Sequence, residues 1–223
     1  MIERNAPMTN KITTVLFDLD GTLIDTNELI ISTYLNTLEK YFPSKYTRED
    51  VLPFLGPTLH EVFGGMTPDP DRVEEMVAAY RDYNLSKHDE LVKEFVGVTE
   101  TIQTLKERGL KLAVVTTKRL DVTLKGLRLM NLERFFEVIV AYEHVAKTKP
   151  DPEPIFKALE QLDSTPSETM MVGDNFHDIL AGKNAGTQTA GVAWSIKGRD
   201  YIASYEPDYI LEDMTDLLTI LGE

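Results

Sequence analysis

Short, nearly continuous runs of Val, Ile, Leu, Ala and Met recur at residues 14–18, 111–116, 138–141, 169–172, 189–193 and 209–211. Runs of this length without polar alternation predict strands buried on both faces of a parallel sheet. Between most of them, apolar positions fall at helical spacing, over residues 99–108, 119–130, 152–162 and 178–185, with Gly109 and Gly186 as stop signals. Alternating strands and helices predict an α/β fold, a doubly wound parallel sheet with right-handed crossovers. Ligands in such folds sit at the carboxyl ends of the strands.

One stretch breaks the alternation. From Asp25 to about Glu94 the pattern contains no convincing strand and reads as amphipathic helices over 28–41, 48–55, 58–63 and 71–88. Pro43, Gly56-Pro57 and Thr67-Pro68-Asp69-Pro70 punctuate them. The organisation expected is therefore a core formed by residues 11–25 and 95–223, with an all-α insert at 26–94 seated over the end of the first strand. Residues 1–10 are polar, contain a second Met at Met8, and read as a frayed leader.

Composition narrows the functions available. A length of 223 residues with 42% hydrophobic content is enough for a full core. The 23 Lys and Arg face 37 Asp and Glu, a net charge of -14 that disfavours nucleic acid and anionic membranes as partners. It also repels small anions, so an anionic substrate needs a local metal or lysine. The absence of cysteine excludes disulfides and thiolate metal sites and fits a reducing, cytoplasmic setting. No apolar stretch reaches membrane-spanning length, the start of the chain lacks a signal-peptide apolar region, and no protein partner is readable.

The chemistry concentrates at predicted strand ends. The first strand closes in Asp18-Leu19-Asp20-Gly21-Thr22. Residues two apart in a strand share a face, so Asp18 and Asp20 leave it on one side, where two carboxylates repel and are costly to desolvate. A hard cation, or one retained proton, relieves both problems. A later strand ends in Thr116-Thr117-Lys118, which puts a hydroxyl at the sheet crevice. Lys149 directly precedes Pro150 and a helix start, with Lys147 as its competitor, and another strand ends in Gly173-Asp174 with Asp178 four residues on. Each feature alone has an ordinary explanation. Thr116 suits any strand, Asp178 can cap the following helix, and an Asp at a strand end is common. His60, His88, His144 and His177 show no metal-binding spacing, though His177 lies inside the Asp174 motif.

Taken in order, these motifs resemble those of the haloacid dehalogenase (HAD) superfamily: D-x-D-G-T at 18–22, the strand-end Thr116, Lys149, and G-D-x-x-x-D at 173–178. The resemblance spans residues 11–221, and the helical insert looks like the cap of phosphoglycolate phosphatases. Stretches 22–30, 149–154, 178–187 and 190–200 look like the inorganic pyrophosphatases of that group. The resemblance implies a Rossmann-like core and a phosphohydrolase mechanism through an aspartyl-phosphate. Asp18 is then the nucleophile and Asp20 the general acid and later base. Mg2+ is then held by Asp18, the main-chain carbonyl of Asp20, and Asp174. Asp178 orients a ligating water or Lys149, while Thr116 and Lys149 grip phosphoryl oxygens, with Thr117 and Lys118 in reach of substrate.

The substrate expected is a small phosphorylated anion, with inorganic pyrophosphate first and phosphoglycolate or another phosphomonoester as the alternative. Asp20 counts against a dehalogenase, and neither Lys40 nor Lys45 stands out as the cap lysine that a phosphonate hydrolase needs. A non-catalytic phosphate-binding module is the remote alternative, since no motif acid and no motif lysine is missing. The cations expected to set specificity are Lys118, Arg119, Lys147 and Lys183.

Overall fold

The computed structural model describes residues 11–222; the expected leader at 1–10 lies outside them. In chain order the elements are β1 (Thr14–Phe17), β2 (Ile24–Asp25), α1 (Asn27–Tyr41), α2 (Arg48–Val51), α3 (Leu59–Gly64), α4 (Pro70–Leu91), β3 (Lys93–Glu94), α5 (Val98–Glu107) and β4 (Lys111–Val115). They continue with α6 (Leu120–Leu129), β5 (Val138–Val140), α7 (Glu153–Leu162), β6 (Thr169–Gly173), α8 (Phe176–Ala185), β7 (Gln188–Val192), α9 (Arg199–Ala203), β8 (Tyr209–Leu211) and α10 (Asp216–Ile220).

Six strands form one parallel sheet in the order β5-β4-β1-β6-β7-β8. The side chains of β1 are all buried, as its unbroken apolar run requires of a strand covered on both faces. One face packs Val15, Phe17, Val114 and Val172 beneath Ile102, Leu105 and Leu127. The other packs Leu16, Ala113, Val115 and Met171 beneath Ile155, Leu159 and Ala181. After β1 the chain runs outward through β4 and β5 on one side and through β6, β7 and β8 on the other. The two directions diverge at β1, which makes its carboxyl end the switch-point crevice of the sheet. The register sets Phe17 beside Val114 and Val172, so the residues that follow β1, β4 and β6 emerge side by side.

The α1–α4 stretch has its own core. Tyr34, Phe63 and Tyr80 are buried and meet at ring-centroid distances of 4.8–6.2 Å. Aromatic pairs at such separations add about 0.5–1.5 kcal/mol each beyond area burial. The expected helix over 48–55 is cut short: α2 ends at Val51 and a 3-10 turn, Leu52–Phe54, follows. Pro53 has no N–H to continue the helical ladder.

The reading of 25–94 as free of strands is corrected. Ile24 pairs antiparallel with Glu94, and Asp25 with Lys93, so a two-residue ladder joins the points where the chain leaves the sheet region and returns to it. Both residues of β3 are exposed and charged, and a two-residue strand carries no alternation to detect. The short helices α9 and α10 escaped the periodic pattern for the same reason of length.

Candidate active site

Asp18 is the first residue past β1. Its carboxylate is buried, and its Oδ1 accepts a 2.6 Å bond from Lys149 Nζ. Lys149 is itself buried and also donates to Asp178 Oδ1 at 2.6 Å and to the Val115 carbonyl at 2.7 Å. Lys147, its competitor in sequence, is largely exposed and lies 3.6 Å from Asp151. Lys149 is thus the lysine that reaches the strand-end acids. Asp18 Oδ2 takes no hydrogen bond from the described residues.

Asp174 follows β6. Oxygens of Asp18, Asp174 and Asp178 all lie within 4.8 Å of one another, in a buried group. Two glycines make this approach feasible. A Cβ on Gly173 would stand 2.2 Å from Asp178 Cβ. One on Gly21, whose φ is +82°, would stand 2.4 Å from Asp174 Oδ2. The Asp174 carbonyl accepts a 2.7 Å bond from Ser195 Oγ, which fixes the loop from behind. Asp178 combines two of the roles considered for it. Its Oδ1 holds Lys149, and its Oδ2 accepts the Asn175 N–H at 3.0 Å in a capping box that starts α8.

The electrostatics of the cluster are unbalanced. Burial pushes the Asp18 carboxyl up to about 7, opposed by Lys149 and reinforced by Asp178 and then Asp20. Burial, then Asp178 and Asp18, also hold Asp174 well above the usual carboxylate range, with only partial relief from Lys197 and Lys149. Lys149 feels the converse. Burial alone would lower it, but Asp178 and Asp18 outweigh burial and raise it above the ordinary lysine value. Among the described residues one ammonium, that of Lys149, is in contact with this group, and it reaches two of the three carboxylates. Keeping all of them ionised requires more positive charge, and hard carboxylate oxygens suit a divalent cation such as Mg2+.

Asp20 takes different partners. Its Oδ1 accepts from Lys118 Nζ at 2.7 Å and from Thr26 Oγ1 at 2.7 Å, which turns the carboxylate away from Asp174 and Asp178. Its side chain is not a member of the close acid group. Thr116 is buried; its Oγ1 accepts the Lys118 N–H at 3.1 Å, leaving the hydroxyl proton free to donate. Thr117 instead donates its hydroxyl to the Gly56 carbonyl at 3.3 Å.

Asp18, Asp20, Thr116, Thr117, Lys118, Lys149, Asp174 and Asp178 all line one cavity of about 480 Å³, roofed by α1, α4 and the 54–60 segment. Of the cations expected to set specificity, Lys118 and Arg119 line it, whereas Lys147 and Lys183 do not. Lys183 donates to the Tyr205 carbonyl. His177 also lines the cavity, and burial lowers its ring to about 4, so it is neutral near pH 7. The roof is tied to the sheet side at Leu55, whose carbonyl accepts from Asn175 Nδ2 at 3.0 Å and Lys197 Nζ at 2.8 Å. Asn175, Ser195, Lys197 and Arg81 join the cavity and its supports without belonging to any of the sequence motifs' functional positions. Only Asn175 had a local signal, its position next to Asp174.

Acids and a lysine gathered at the switch point of a doubly wound sheet, under a helical roof, define a hydrolase of the HAD type. The family model for haloacid dehalogenase-like hydrolases matches residues 15–192, and the chain belongs to that family. Among curated proteins it is 57% identical to Pyrophosphatase PpaX of Anoxybacillus flavithermus, over 95% of this chain and 97% of that protein. It is 56% identical to Pyrophosphatase PpaX of Bacillus mycoides, over 95% of this chain and 98% of the relative. Among solved structures, a putative haloacid dehalogenase-like hydrolase from Bacteroides fragilis superposes with a TM-score of 0.86 at 27% identity, covering 93% of this chain and all of the other.

Proposed function

We propose that this protein is a Mg2+-dependent phosphohydrolase that cleaves inorganic pyrophosphate through an aspartyl-phosphate on Asp18. The observation that carries the chemistry is the buried Asp18–Lys149–Asp178 chain beside Asp174. Inorganic pyrophosphate follows from the likeness to relatives that bear the pyrophosphatase name. Residues 26–94 act as a cap over the core formed by 11–25 and 95–223.

Lys149 and Thr116 hold the oxygens of the phosphoryl group to be transferred, Lys149 by turning one N–H from the Val115 carbonyl to the phosphoryl group while its other two keep Asp18 and Asp178 oriented. A carboxylate oxygen of Asp18 attacks phosphorus as the bridging P–O bond breaks, which exchanges one hard displacement for two easier ones. Asp20 gives its proton to the departing phosphate. It then takes a proton from water as that water attacks the acyl phosphate, releasing the second phosphate and restoring Asp18. Lys118 and Thr26 fix the Asp20 carboxylate through Oδ1, while Oδ2 has no partner among the described residues and is the oxygen open to the proton. Mg2+ would be held by Asp18, Asp174 and the Asp20 carbonyl, with Asp178 in support, and would neutralise phosphoryl charge. The roof excludes water and selects the leaving group.

The test is phosphate release from pyrophosphate, phosphoglycolate and sugar phosphates, with Mg2+ and with chelator. Pyrophosphate is expected to be preferred, and chelation to stop turnover. Asp18→Asn is expected to abolish release while the fold persists by circular dichroism. Preference for phosphoglycolate would overturn the substrate, and near wild-type turnover by Asp18→Asn would overturn the nucleophile.

A further inference from the structure

The roof of the cavity carries a cation that the chemistry above does not use. Ala78, Arg81, Asp82 and Leu85 form one stripe along α4, at the i, i+3, i+4, i+7 spacing of a single helix face, and all four line the cavity. The adjacent face is buried in the roof's own core through Val73, Met76, Val77 and Tyr80. The stripe borders the cavity with Arg81 half-buried, while Ala78, Asp82 and Leu85 also reach solvent. Tyr80, next in the chain to Arg81, is close enough to Asp20 for that carboxylate to contribute to the upward shift of its phenol. Asp20, Tyr80 and Arg81 all line this one cavity.

The other lysines and arginines on the cavity wall already have carboxylate partners. Lys149 holds Asp18 and Asp178, Lys118 holds Asp20, and Arg119 holds Asp121 and Glu143. Arg81 has neither ion pair nor hydrogen bond with the described residues, although its Nε is shielded from solvent. Asp82 beside it is exposed and points no carboxylate oxygen to within ion-pair distance. An arginine N–H that is dry and unpaired is a costly arrangement unless an anion completes it. A guanidinium is also the side chain best shaped to grip phosphate through two parallel bonds.

We propose that Arg81 binds the departing phosphate of pyrophosphate, the half that is not transferred to Asp18, and so makes the site selective for a substrate with a second phosphoryl group. The assignment rests on the phosphohydrolase reading of this cavity. It divides the substrate between two walls: Lys149 and Thr116 on the sheet side take one phosphate, and Arg81 on the roof takes the other.

The experiment compares Arg81→Gln, Arg81→Ala and Arg81→Lys with wild type on pyrophosphate and on p-nitrophenyl phosphate, whose leaving group has no second phosphate. Loss of a charge-assisted contact is expected to lower kcat/KM for pyrophosphate roughly 10- to 100-fold, mainly through KM. The ratio of pyrophosphate to p-nitrophenyl phosphate kcat/KM should fall at least tenfold, with Arg81→Lys intermediate because it keeps the charge without the fork. A structural role would depress both substrates alike and leave the ratio within twofold of wild type, and that result in Arg81→Gln and Arg81→Ala overturns the assignment. Failure of wild type to release phosphate from either substrate would instead overturn the phosphohydrolase reading and the assignment with it.

Discussion

Replacing Lys149 by Met tests whether a buried charge imbalance organises the site. The substitution keeps a chain of similar length but removes the ammonium that donates to Asp18, Asp178 and the Val115 carbonyl at 2.6–2.7 Å. It leaves three neighbouring buried carboxylates with no ammonium in ion-pair contact among the described residues. Breaking a buried ion pair from one side costs about 3–5 kcal/mol, because the remaining charge stays desolvated and unpaired. For a chain of this size each kcal/mol moves the melting temperature by about 2–4 °C, so Lys149→Met should melt roughly 6–20 °C lower. The assay is thermal and urea unfolding near pH 7.5 with chelator present. The double variant with Asp178→Asn isolates the mechanism. Removing a carboxylate from the crowded cluster should return part of the loss, so the two substitutions should cost less together than their sum, by about 0.5–3 kcal/mol. Phosphate release should drop by about 10²–10³ in kcat, the usual cost of losing one electrostatic donor at a transition state. A Lys149→Met protein within 1 kcal/mol of wild type, or additive losses in the double variant, would refute the reasoning.

Two further substitutions probe the framework around the acids. Gly21→Ala should destabilise by about 1–2 kcal/mol from its left-handed backbone alone. Its Cβ would also press on Asp174, so the half-saturating Mg2+ concentration for activity should rise more than for a matched surface substitution; an unchanged value would show that Asp174 moves freely. Lys197→Met removes one of the two donors to the Leu55 carbonyl, a charge-assisted bond worth about 1.5–3 kcal/mol. Amide exchange over residues 52–58 should accelerate roughly 10-fold or more, and unchanged protection there would mean Asn175 holds the roof by itself.

Much of the architecture was legible because the sheet is parallel and covered on both faces. The runs forming β1, β4 and β6 have no polar alternation, so they could be placed within a residue or two, and their order located the crevice where Asp18, Thr116 and Asp174 emerge. The acids and Lys149 are legible because Asp18 and Asp174 directly follow strands, Asp178 lies in the first turn of α8, and Lys149 sits in the short loop that leads into α7. The partners of the roof were not. Arg81 lies in a 22-residue helix rich in charge, and nothing local distinguishes the cation that faces inward. Ser195 and Lys197 reach Asp174 and Leu55 only because the chain after β7 returns across the crevice, a tertiary fact without a periodic signature. Lys118 and Thr117, expected near the substrate, line the cavity; spacing does not convey that one is held by Asp20 and the other by Gly56.

The two aspartates of the first motif end up with opposite electrostatic fates. Asp20 is matched by Lys118 and a hydroxyl, whereas Asp18 belongs to a group of three carboxylates of which the Lys149 ammonium contacts only two. At the roof the imbalance has the other sign, for Arg81 has no ion-pair or hydrogen-bond partner among the described residues. A protein of net charge -14 does little to attract an anion at long range, so binding depends on these local mismatches. A diphosphate accompanied by a divalent cation would resolve both at once. The cation brings positive charge to the acids, and the second phosphate brings negative charge to the roof. A phosphomonoester with a neutral leaving group resolves only the first. Selectivity for pyrophosphate over a phosphomonoester with a neutral leaving group therefore follows from a roof cation left unsatisfied until a second phosphate arrives.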